Sequence, residues 1–239
     1  MEAIVLAGGK STRLASRLNN IPKPMVPIAG RPFLEWLLEA LAAQGCDQVY
    51  LSVGHLYATI QDHFQNSFAG LGIQYVVEES PLGTGGAIRS ALAAIRSDSA
   101  FVLNGDTYVL IDYRKMRDEH LHRGRPLSMS VVHQNDTGRY GQVVLDRDSV
   151  SSFREKGTRG PGWINAGVYL IRKDIDWPEQ LAACFSFEND FLAPEIARLH
   201  PWCHQCQGYF IDIGVPEDLD RAKSDFANGG ILPSRYDSA

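Results

Sequence analysis

The sequence has few cysteines, no excess of positive charge and no long apolar run. No apolar stretch approaches the roughly 20 residues of a membrane span, so we expect a soluble protein without a membrane partner. The 23 lysines and arginines are outnumbered by 28 aspartates and glutamates, which gives a net charge of −5. This balance argues against general nucleic-acid binding, although it still allows a local basic pocket for phosphates.

Two further absences bear on location and metal chemistry. The opening segment, MEAIVLAGG, has an acidic residue and no basic flank ahead of its apolar run, which is unlike a signal peptide, so the cytoplasm is the expected compartment. Cys203 and Cys206 form a CxxC within HPWCHQC. His200 and His204 stand beside them, but no other CxxC or HxxxH in the sequence supplies the second ligand pair that a structural zinc site would require. We therefore predict that this segment is a partly buried strand.

The stretch IVLAGGKSTRL, residues 4–14, resembles a P-loop but lacks its first glycine. A P-loop needs a glycine five positions before the glycine of GK[ST], and Ile4 stands there. A dinucleotide-binding GxGxxG is absent as well. What is present is a strand followed by a turn of small residues, whose backbone N–H groups can approach an anion, with Thr12 and Arg13 as side-chain donors. The segment predicts phosphate binding of another kind.

The first half of the chain alternates strand-like and helical patterns, which is typical of a parallel sheet covered by helices. The second half is richer in strand-like runs. We predict one α/β domain over residues 1–226, with halves at 1–112 and 113–226, and a loosely held tail at 227–239. The predicted strands cover 2–6, 49–53, 73–77, 101–103, 127–132, 142–145, 150–154, 167–171 and a segment ending at residue 212. The predicted helices cover 33–44, 59–64, 86–95, 189–198 and 216–226.

Two aspartates stand at predicted strand ends, where open α/β sheets bind their ligands. Asp106 follows a strand in LNGD, and Asp212 ends a second apolar segment, FID. Alone, each would be an ordinary turn or cap residue; brought together, they would hold Mg²⁺ against substrate phosphates. Lys23 lies between Pro22 and Pro24, so we expect it in stiff, extended backbone, where a fixed ammonium group suits a phosphate.

Seven segments together resemble a known family: LAGGKSTRL, PKPMVPIAGRP, PLGTGGA, LNGD, REKG, NAGVY and FIDIGVPED. They are similar to the sugar-1-phosphate nucleotidyltransferases, and within these to the D-glycero-D-manno-heptose 1-phosphate guanylyltransferases, over nearly the whole chain. The resemblance implies a Rossmann-like nucleotidyltransferase fold, with a mostly parallel central sheet, helices on both faces, a nucleotide-binding first half and a β-rich, sugar-binding second half. It implies that a sugar 1-phosphate attacks the α-phosphorus of a nucleoside triphosphate and that pyrophosphate leaves.

The resemblance also implies roles for individual residues. Catalysis is assigned to Arg13, Lys23 and Asp106, and Mg²⁺ to Asp106 and Asp212. The implied nucleotide-binding residues are Leu6, Ala7, Gly8, Gly9, Ser11, Thr12, Arg13, Lys23, Glu78, Gly83 and Thr84. The implied sugar-phosphate-binding residues are Gly141, Glu155, Lys156 and Asn165. A sugar phosphate is an anionic nucleophile near neutral pH, because its second pKa is about 6; no general base is needed, and catalysis is alignment plus charge neutralisation.

The base and the sugar are less directly indicated. Glu78 and Glu79 lie where relatives bind the base; a carboxylate only accepts hydrogen bonds, and guanine offers adjacent N–H donors, so we predict GTP. The resemblance indicates a heptose 1-phosphate, and hence GDP-heptose for a surface polysaccharide. Two positions depart from the family: Ser11 replaces a usual glycine, and Gly157 replaces a frequent proline after the EK pair.

Three alternative functions remain at this point. The first is a uridylyl-, thymidylyl- or mannose-type guanylyltransferase for another sugar 1-phosphate. The second is a non-catalytic, nucleotidyltransferase-like regulatory domain, which the presence of Arg13, Lys23, Asp106 and Asp212 argues against. The third is a kinase, which the missing P-loop glycine disfavours. A homo-oligomer is compatible with the sequence but is not indicated by it.

Overall fold

Strands and helices alternate along the first half of the chain, and strands predominate in the second. The structure, a computed structural model, describes residues 1–9, 21–154 and 159–227. Within these ranges the strands are β1 (Glu2–Leu6), β2 (Pro27–Ile28), β3 (Arg31–Pro32), β4 (Gln48–Val53), β5 (Ser67–Phe68), β6 (Leu71–Val77), β7 (Ser99–Asn104), β8 (Thr107–Val109), β9 (Leu127–Gln134), β10 (Gln142–Asp146), β11 (Ser149–Arg154), β12 (Gly162–Arg172), β13 (Trp202–Cys206) and β14 (Phe210–Asp212).

The helices of the same ranges lie between these strands. They are α1 (Phe33–Ala43), α2 (Tyr57–Phe64), α3 (Gly83–Ala94), α4 (Tyr113–Arg123), α5 (Ala193–Leu199) and α6 (Pro216–Ala227). A 3-10 helix covers Lys23–Met25 and a π-helical turn covers Phe187–Leu192. No helix in the part of the chain that the structure describes combines the length and the apolar character needed to cross a bilayer.

One sheet of ten strands runs through both predicted halves, in the order β10-β11-β13-β9-β12-β7-β1-β4-β6-β5. The strands β7, β1, β4 and β6 are parallel, as expected for the first half. In the second half the parallel pairing of β13 with β9 is accompanied by antiparallel pairings among β9 to β12. These strands follow one another through short connections, which favours antiparallel neighbours. The expectation of a mostly parallel sheet therefore describes the first half, and the whole sheet is mixed.

Helices cover both faces of this sheet, as expected. Alternate residues of β1 face opposite sides: Ala3 and Val5 pack in one apolar cluster and Ile4 in the other, and all three are fully buried. Helices α1, α2, α4 and α6 contribute to the first cluster, and α3, α5 and the π-helical turn to the second. Burying one large apolar side chain stabilises the fold by roughly 1.5–3 kcal/mol, so the two clusters fix β1 in the middle of three layers.

The structure also corrects several predicted elements. Helix α4 was not predicted, because its sequence, YRKMRDEHLHR, buries only Tyr113, Met116 and His120; its start is fixed by Asp112, which accepts a hydrogen bond from the N–H of Lys115. Helix α3 begins at Gly83, three residues before the predicted start. The predicted helix at 189–198 is a π-helical turn that continues into α5.

The CxxC segment forms β13, which confirms the predicted strand. Cys203 packs in one apolar cluster and Cys206 in the other, since residues three apart on a strand face opposite sides. Burial raises the pKa of each thiol to about 12. The two cysteines therefore serve the core and cannot share a metal ion.

Candidate active site

The carboxyl ends of four parallel strands meet at one edge of the sheet. The N–H of Gly105, after β7, donates to the carbonyl of Leu6 at the end of β1, at 3.0 Å. The N–H of Glu78, after β6, donates to the carbonyl of Val53 at the end of β4, at 2.8 Å. The turn after β1 therefore lies between the segments that carry Glu78 and Asp106, which is where ligands bind in open α/β sheets.

Glu78 lies directly against the turn of small residues. Its Oε1 accepts from the hydroxyl of Ser52 at 3.0 Å, and its Oε2 accepts from the N–H of Leu82 at 3.1 Å. A Cβ at Gly8 would come within 2.7 Å of Glu78 Oε1, whereas a Cβ at Gly9 would meet no atom of the described residues within 4 Å. Only glycine at position 8 therefore allows the backbone to approach Glu78 so closely, and among the described residues nothing occupies the space beside Gly9. Both carboxylate oxygens keep a further acceptor position.

Other predicted nucleotide-binding residues differ in their surroundings. Ala7 is buried at the end of β1, and Glu79 is exposed. Ser11, which replaces the glycine usual in the family, lies outside the described residues. Thr12 and Arg13 lie outside them as well.

Gly83 and Thr84 also attach a distant segment to α3. Gly83 has a φ of 67°, and a Cβ there would lie 2.5 Å from the carbonyl oxygen of Phe185. The hydroxyl oxygen of Thr84 accepts from the N–H of Phe187 at 2.8 Å. The predicted nucleotide-binding residues at the start of α3 therefore hold residues 185–187, which lead into the second half of the site.

The structure brings Lys23, Asp106 and Asp212 together. The Nζ of Lys23 lies 2.5 Å from Asp106 Oδ2 and 3.7 Å from Asp212 Oδ1. The aspartates are adjacent because β8 and β14 form an antiparallel pair in which Thr107 faces Asp212, and because the N–H of Ile213 donates to the carbonyl of Asp106 at 3.0 Å. Residues from three distant parts of the sequence thus form one charged group.

The backbone at Lys23 differs from the prediction. Lys23 begins a 3-10 helix instead of lying in extended backbone, and the N–H of Met25 donates to the carbonyl of Pro22 at 2.8 Å. Pro24 is tolerated because it stands in the first turn, where its missing N–H needs no partner. The turn buries Pro24 and Met25 and leaves the Lys23 ammonium directed at the two aspartates.

The two carboxylates fit a hard divalent cation. Burial, and then the charge of Asp106, raise the pKa of Asp212, while the Lys23 ammonium compensates part of this repulsion. In the described ranges no three His, Cys, Asp or Glu side chains are grouped to hold a metal ion. Mg²⁺ commonly uses only one or two carboxylates and takes its other ligands from substrate phosphates and water. The donor set therefore suits Mg²⁺ held jointly with a phosphorylated substrate.

A cavity of about 1020 Å³ opens beside this charged group. Asp212 and two of the predicted sugar-phosphate-binding residues, Gly141 and Asn165, line its wall. Glu155 and Lys156, and Gly157 with them, lie outside the described residues. The structure thus places Gly141 and Asn165 in one recess next to Asp212, a predicted metal ligand.

Sequence reasoning missed two charged residues of this cavity. Arg139 stands in the same RYG stretch as Gly141 and forms an ion pair with the buried carboxylate of Asp218. Glu188 stands in the π-helical turn and lines the cavity. The RYG stretch could have indicated Arg139; no sequence signal links Glu188 with Asn165.

Comparisons with known proteins identify the family of the chain. Residues 2–228 match the model of the family described as nucleotidyl transferase. The chain is 40% identical to the D-glycero-alpha-D-manno-heptose 1-phosphate guanylyltransferase of Aneurinibacillus thermoaerophilus, over 94% of this chain and 98% of that protein. It is 44% identical to the protein of the same name from Campylobacter jejuni, over 91% and 96%. The crystal structure of HddC from Yersinia pseudotuberculosis complexed with GMP-PN is similar, with a TM-score of 0.83, 40% identity and coverage of 94% and 99%.

Proposed function

Because this chain belongs to the nucleotidyl transferase family, we propose that it joins GTP and D-glycero-α-D-manno-heptose 1-phosphate to give GDP-heptose and pyrophosphate. The expected nucleotidyltransferase fold is confirmed by the family match and the HddC structure. Two relatives at 40% and 44% identity carry the name of this activity, and HddC is complexed with a guanine nucleotide analogue. These names support guanine as the base of the nucleotide and heptose as the sugar.

The observation that carries the proposal is the group formed by Lys23, Asp106 and Asp212, of which Asp212 lines the cavity. It lies between the turn after β1, which suits a triphosphate, and the recess lined by Gly141 and Asn165, which suits a sugar. A reaction that joins two phosphates needs a site where both phosphates bind next to each other. The proposed attack of the sugar phosphate on the α-phosphorus takes place there.

The residues of this group act mainly by neutralising and aligning charge. Lys23 offers an ammonium on a short, proline-flanked helical turn, and its side chain is only 15% exposed, so its charge is poorly screened by water. Asp106 and Asp212 would hold Mg²⁺, which neutralises phosphate charge when bound. The sugar phosphate needs no general base, because it is already ionised near neutral pH.

Glu78 supports the choice of guanine. Its carboxylate is held by Ser52 and Leu82 and lies against Gly8, so its position is fixed before the nucleotide binds. Its remaining acceptor positions suit the adjacent N–H donors of guanine. Since the reaction consumes GTP, we also place it in the cytoplasm.

The test is pyrophosphate release by the purified protein, with each common nucleoside triphosphate and a panel of sugar 1-phosphates. We expect release with GTP and the heptose 1-phosphate, loss of release with EDTA, and recovery with excess Mg²⁺. Release with another pair would keep the reaction and overturn the specificity. Activity that survives complete metal removal would overturn the role of Asp106 and Asp212 as metal ligands.

A further inference from the structure

We propose that Glu188 is a specificity-determining residue, whose carboxylate accepts a hydrogen bond from a neutral hydroxyl of the sugar and disfavours sugars that carry an anionic group there. The inference rests on the proposed function, because it concerns the sugar that occupies the cavity. Glu188 lines this cavity together with Asn165 and Asp212.

Glu188 is held by a rigid element. It stands in the π-helical turn Phe187–Leu192, whose aromatic residues Phe187 and Phe191 are fully buried. The hydroxyl of Ser186 accepts from the N–H of Asn189 at 3.2 Å and so caps the turn. π-Helical turns are uncommon and occur often at functional sites. The turn therefore presents a half-buried Glu188 side chain to the cavity from a fixed backbone.

A chain of hydrogen bonds determines which atom of Glu188 is available. The N–H of Gly167 donates to Asn165 Oδ1 at 2.9 Å, which orients the Asn165 amide. Asn165 Nδ2 then donates to the hydroxyl oxygen of Tyr169 at 2.5 Å. The Tyr169 hydroxyl must therefore donate its own hydrogen to Glu188 Oε1, at 3.1 Å.

The surroundings of Tyr169 keep its hydroxyl protonated, so that it donates to Glu188 and the Glu188 carboxylate accepts. Tyr169 is 1% exposed, and burial, followed by the charge of Glu188, raises its pKa well above the ordinary value. In the described part of the chain, Glu188 Oε2 has no hydrogen-bond donor and Glu188 has no ion-pair partner. Within the described residues, one carboxylate oxygen is thus occupied by Tyr169, and the other can accept a hydrogen bond from a ligand.

The chemistry of a free carboxylate oxygen defines the group it selects. An ionised carboxylate only accepts hydrogen bonds, so it pairs with a sugar hydroxyl and repels a carboxylate or phosphate. Sites built to bond a hydroxyl reject analogues without it strongly, because their own polar atoms are left unpaired. The cavity therefore favours a sugar with a neutral hydroxyl at this position over a sugar with a carboxylate or phosphate there.

The test compares Glu188→Gln with the wild type and with Glu179→Gln, which changes an exposed glutamate outside the cavity. Because Tyr169 donates to Oε1, the amide nitrogen of the variant would replace the free oxygen and turn an acceptor into a donor. We expect kcat/KM for the neutral sugar 1-phosphate to fall by about 10-fold or more, through a higher KM for the sugar, with the KM for GTP unchanged. The discrimination against a uronic acid 1-phosphate should weaken by a similar factor.

Sugar 1-phosphates that each lack one hydroxyl show whether Glu188 recognises a hydroxyl of the sugar or only stabilises the fold. With the analogue that lacks the recognised hydroxyl, the wild type and Glu188→Gln should be equally active. An equal loss on every substrate, or no loss at all, would overturn the proposal. Tyr169→Phe releases Oε1 and also removes the acceptor of Asn165 Nδ2, but it leaves the second oxygen of Glu188 an acceptor. It should therefore show a smaller loss on the same substrates, and it provides the test if Glu188→Gln does not fold.

The role of Glu188 can be tested even if the proposed function is wrong. If the wild type releases no pyrophosphate with any pair, the proposed function fails, and calorimetric titration with the neutral sugar 1-phosphates decides the role of Glu188. Binding to the wild type that is about 10-fold tighter than to Glu188→Gln supports the proposal. Equal binding, or no binding to either protein, overturns it.

Discussion

Replacing Asp106 with asparagine should separate activity from stability. The substitution keeps the shape of the side chain and removes one charge from the group that Asp106 forms with Lys23 and Asp212. The direct attraction lost is large: at 2.5 Å and an effective dielectric constant of about 20, it is roughly 7 kcal/mol before solvation is counted.

The net effect on folding should be much smaller. Asp106 is 35% exposed, so solvent screens the pair and the lost desolvation penalty offsets much of the attraction. Lys23 keeps Asp212 as a partner at 3.7 Å, and the repulsion between the two aspartates is relieved. We therefore expect the free energy of unfolding to fall by about 1 kcal/mol.

The effect on catalysis should be larger, by about 2–3 kcal/mol. In the proposed reaction Asp106 would hold the metal ion at the reacting centre. Removal of one preorganised charge there commonly costs a hundredfold to a thousandfold, or about 3–4 kcal/mol of barrier. Asp112→Ala is the matched control. It removes the cap of α4, which bonds the N–H of Lys115 at 2.8 Å, and should also cost about 1 kcal/mol of stability without a change in kcat.

The assay pairs urea denaturation with the rate of pyrophosphate release for the wild type and both variants. The reasoning is refuted if Asp106→Asn keeps more than about a tenth of the wild-type rate. It is refuted equally if Asp106→Asn unfolds so easily that instability alone explains the loss, or if Asp112→Ala loses as much activity.

Three further predictions follow from buried and exposed groups. His120 is buried, its Nδ1 lies 2.6 Å from Ser128 Oγ, and burial lowers its pKa to about 4; since the unfolded pKa is about 6.5, stability should be full above pH 6.5 and fall by on the order of 3 kcal/mol towards pH 4. His120→Gln should flatten this part of a denaturation series, and an unchanged slope would contradict the assignment. Gly105→Ala would place a Cβ 2.5 Å from the carbonyl oxygen of Leu6 and should cost about 1–3 kcal/mol, so an unchanged thermal midpoint would be evidence against the packing at this edge. Cys184 is exposed while the other three cysteines are buried, so a thiol reagent should modify one cysteine in the native protein and none in Cys184→Ser; rapid modification of a second thiol would refute the burial.

The fold was predictable where apolar patterns are strong. The run from Glu2 to Leu6 and the residues of α1 specify a buried strand and an amphipathic helix locally, and both were found. Helix α4 was missed because its buried positions, although spaced as on one face of a helix, include only two apolar side chains, Tyr113 and Met116. The 3-10 helix at Lys23 was missed because local proline chemistry favours extended backbone, while the burial of Pro24 and Met25 depends on distant residues.

The candidate site was predictable where it follows from strand ends. Asp106 and Asp212 stand directly after apolar segments, and the topology brings them together. Glu188 was not predictable, because its place beside Tyr169 depends on the connection after β12 and on the packing of residues 185–187 against Gly83 and Thr84. Such contacts between distant segments have no counterpart in local sequence patterns.

The most direct measurement follows the phosphate of the sugar through the reaction. A heptose 1-phosphate that carries an oxygen isotope label on its phosphate is incubated with GTP, and the products are analysed by mass spectrometry and phosphorus NMR. Attack on the α-phosphorus predicts that the whole label is found in the sugar-bearing phosphate of GDP-heptose and that pyrophosphate is unlabelled. Unlabelled GDP with a doubly phosphorylated sugar would instead show transfer of the γ-phosphoryl group and would contradict the proposed reaction.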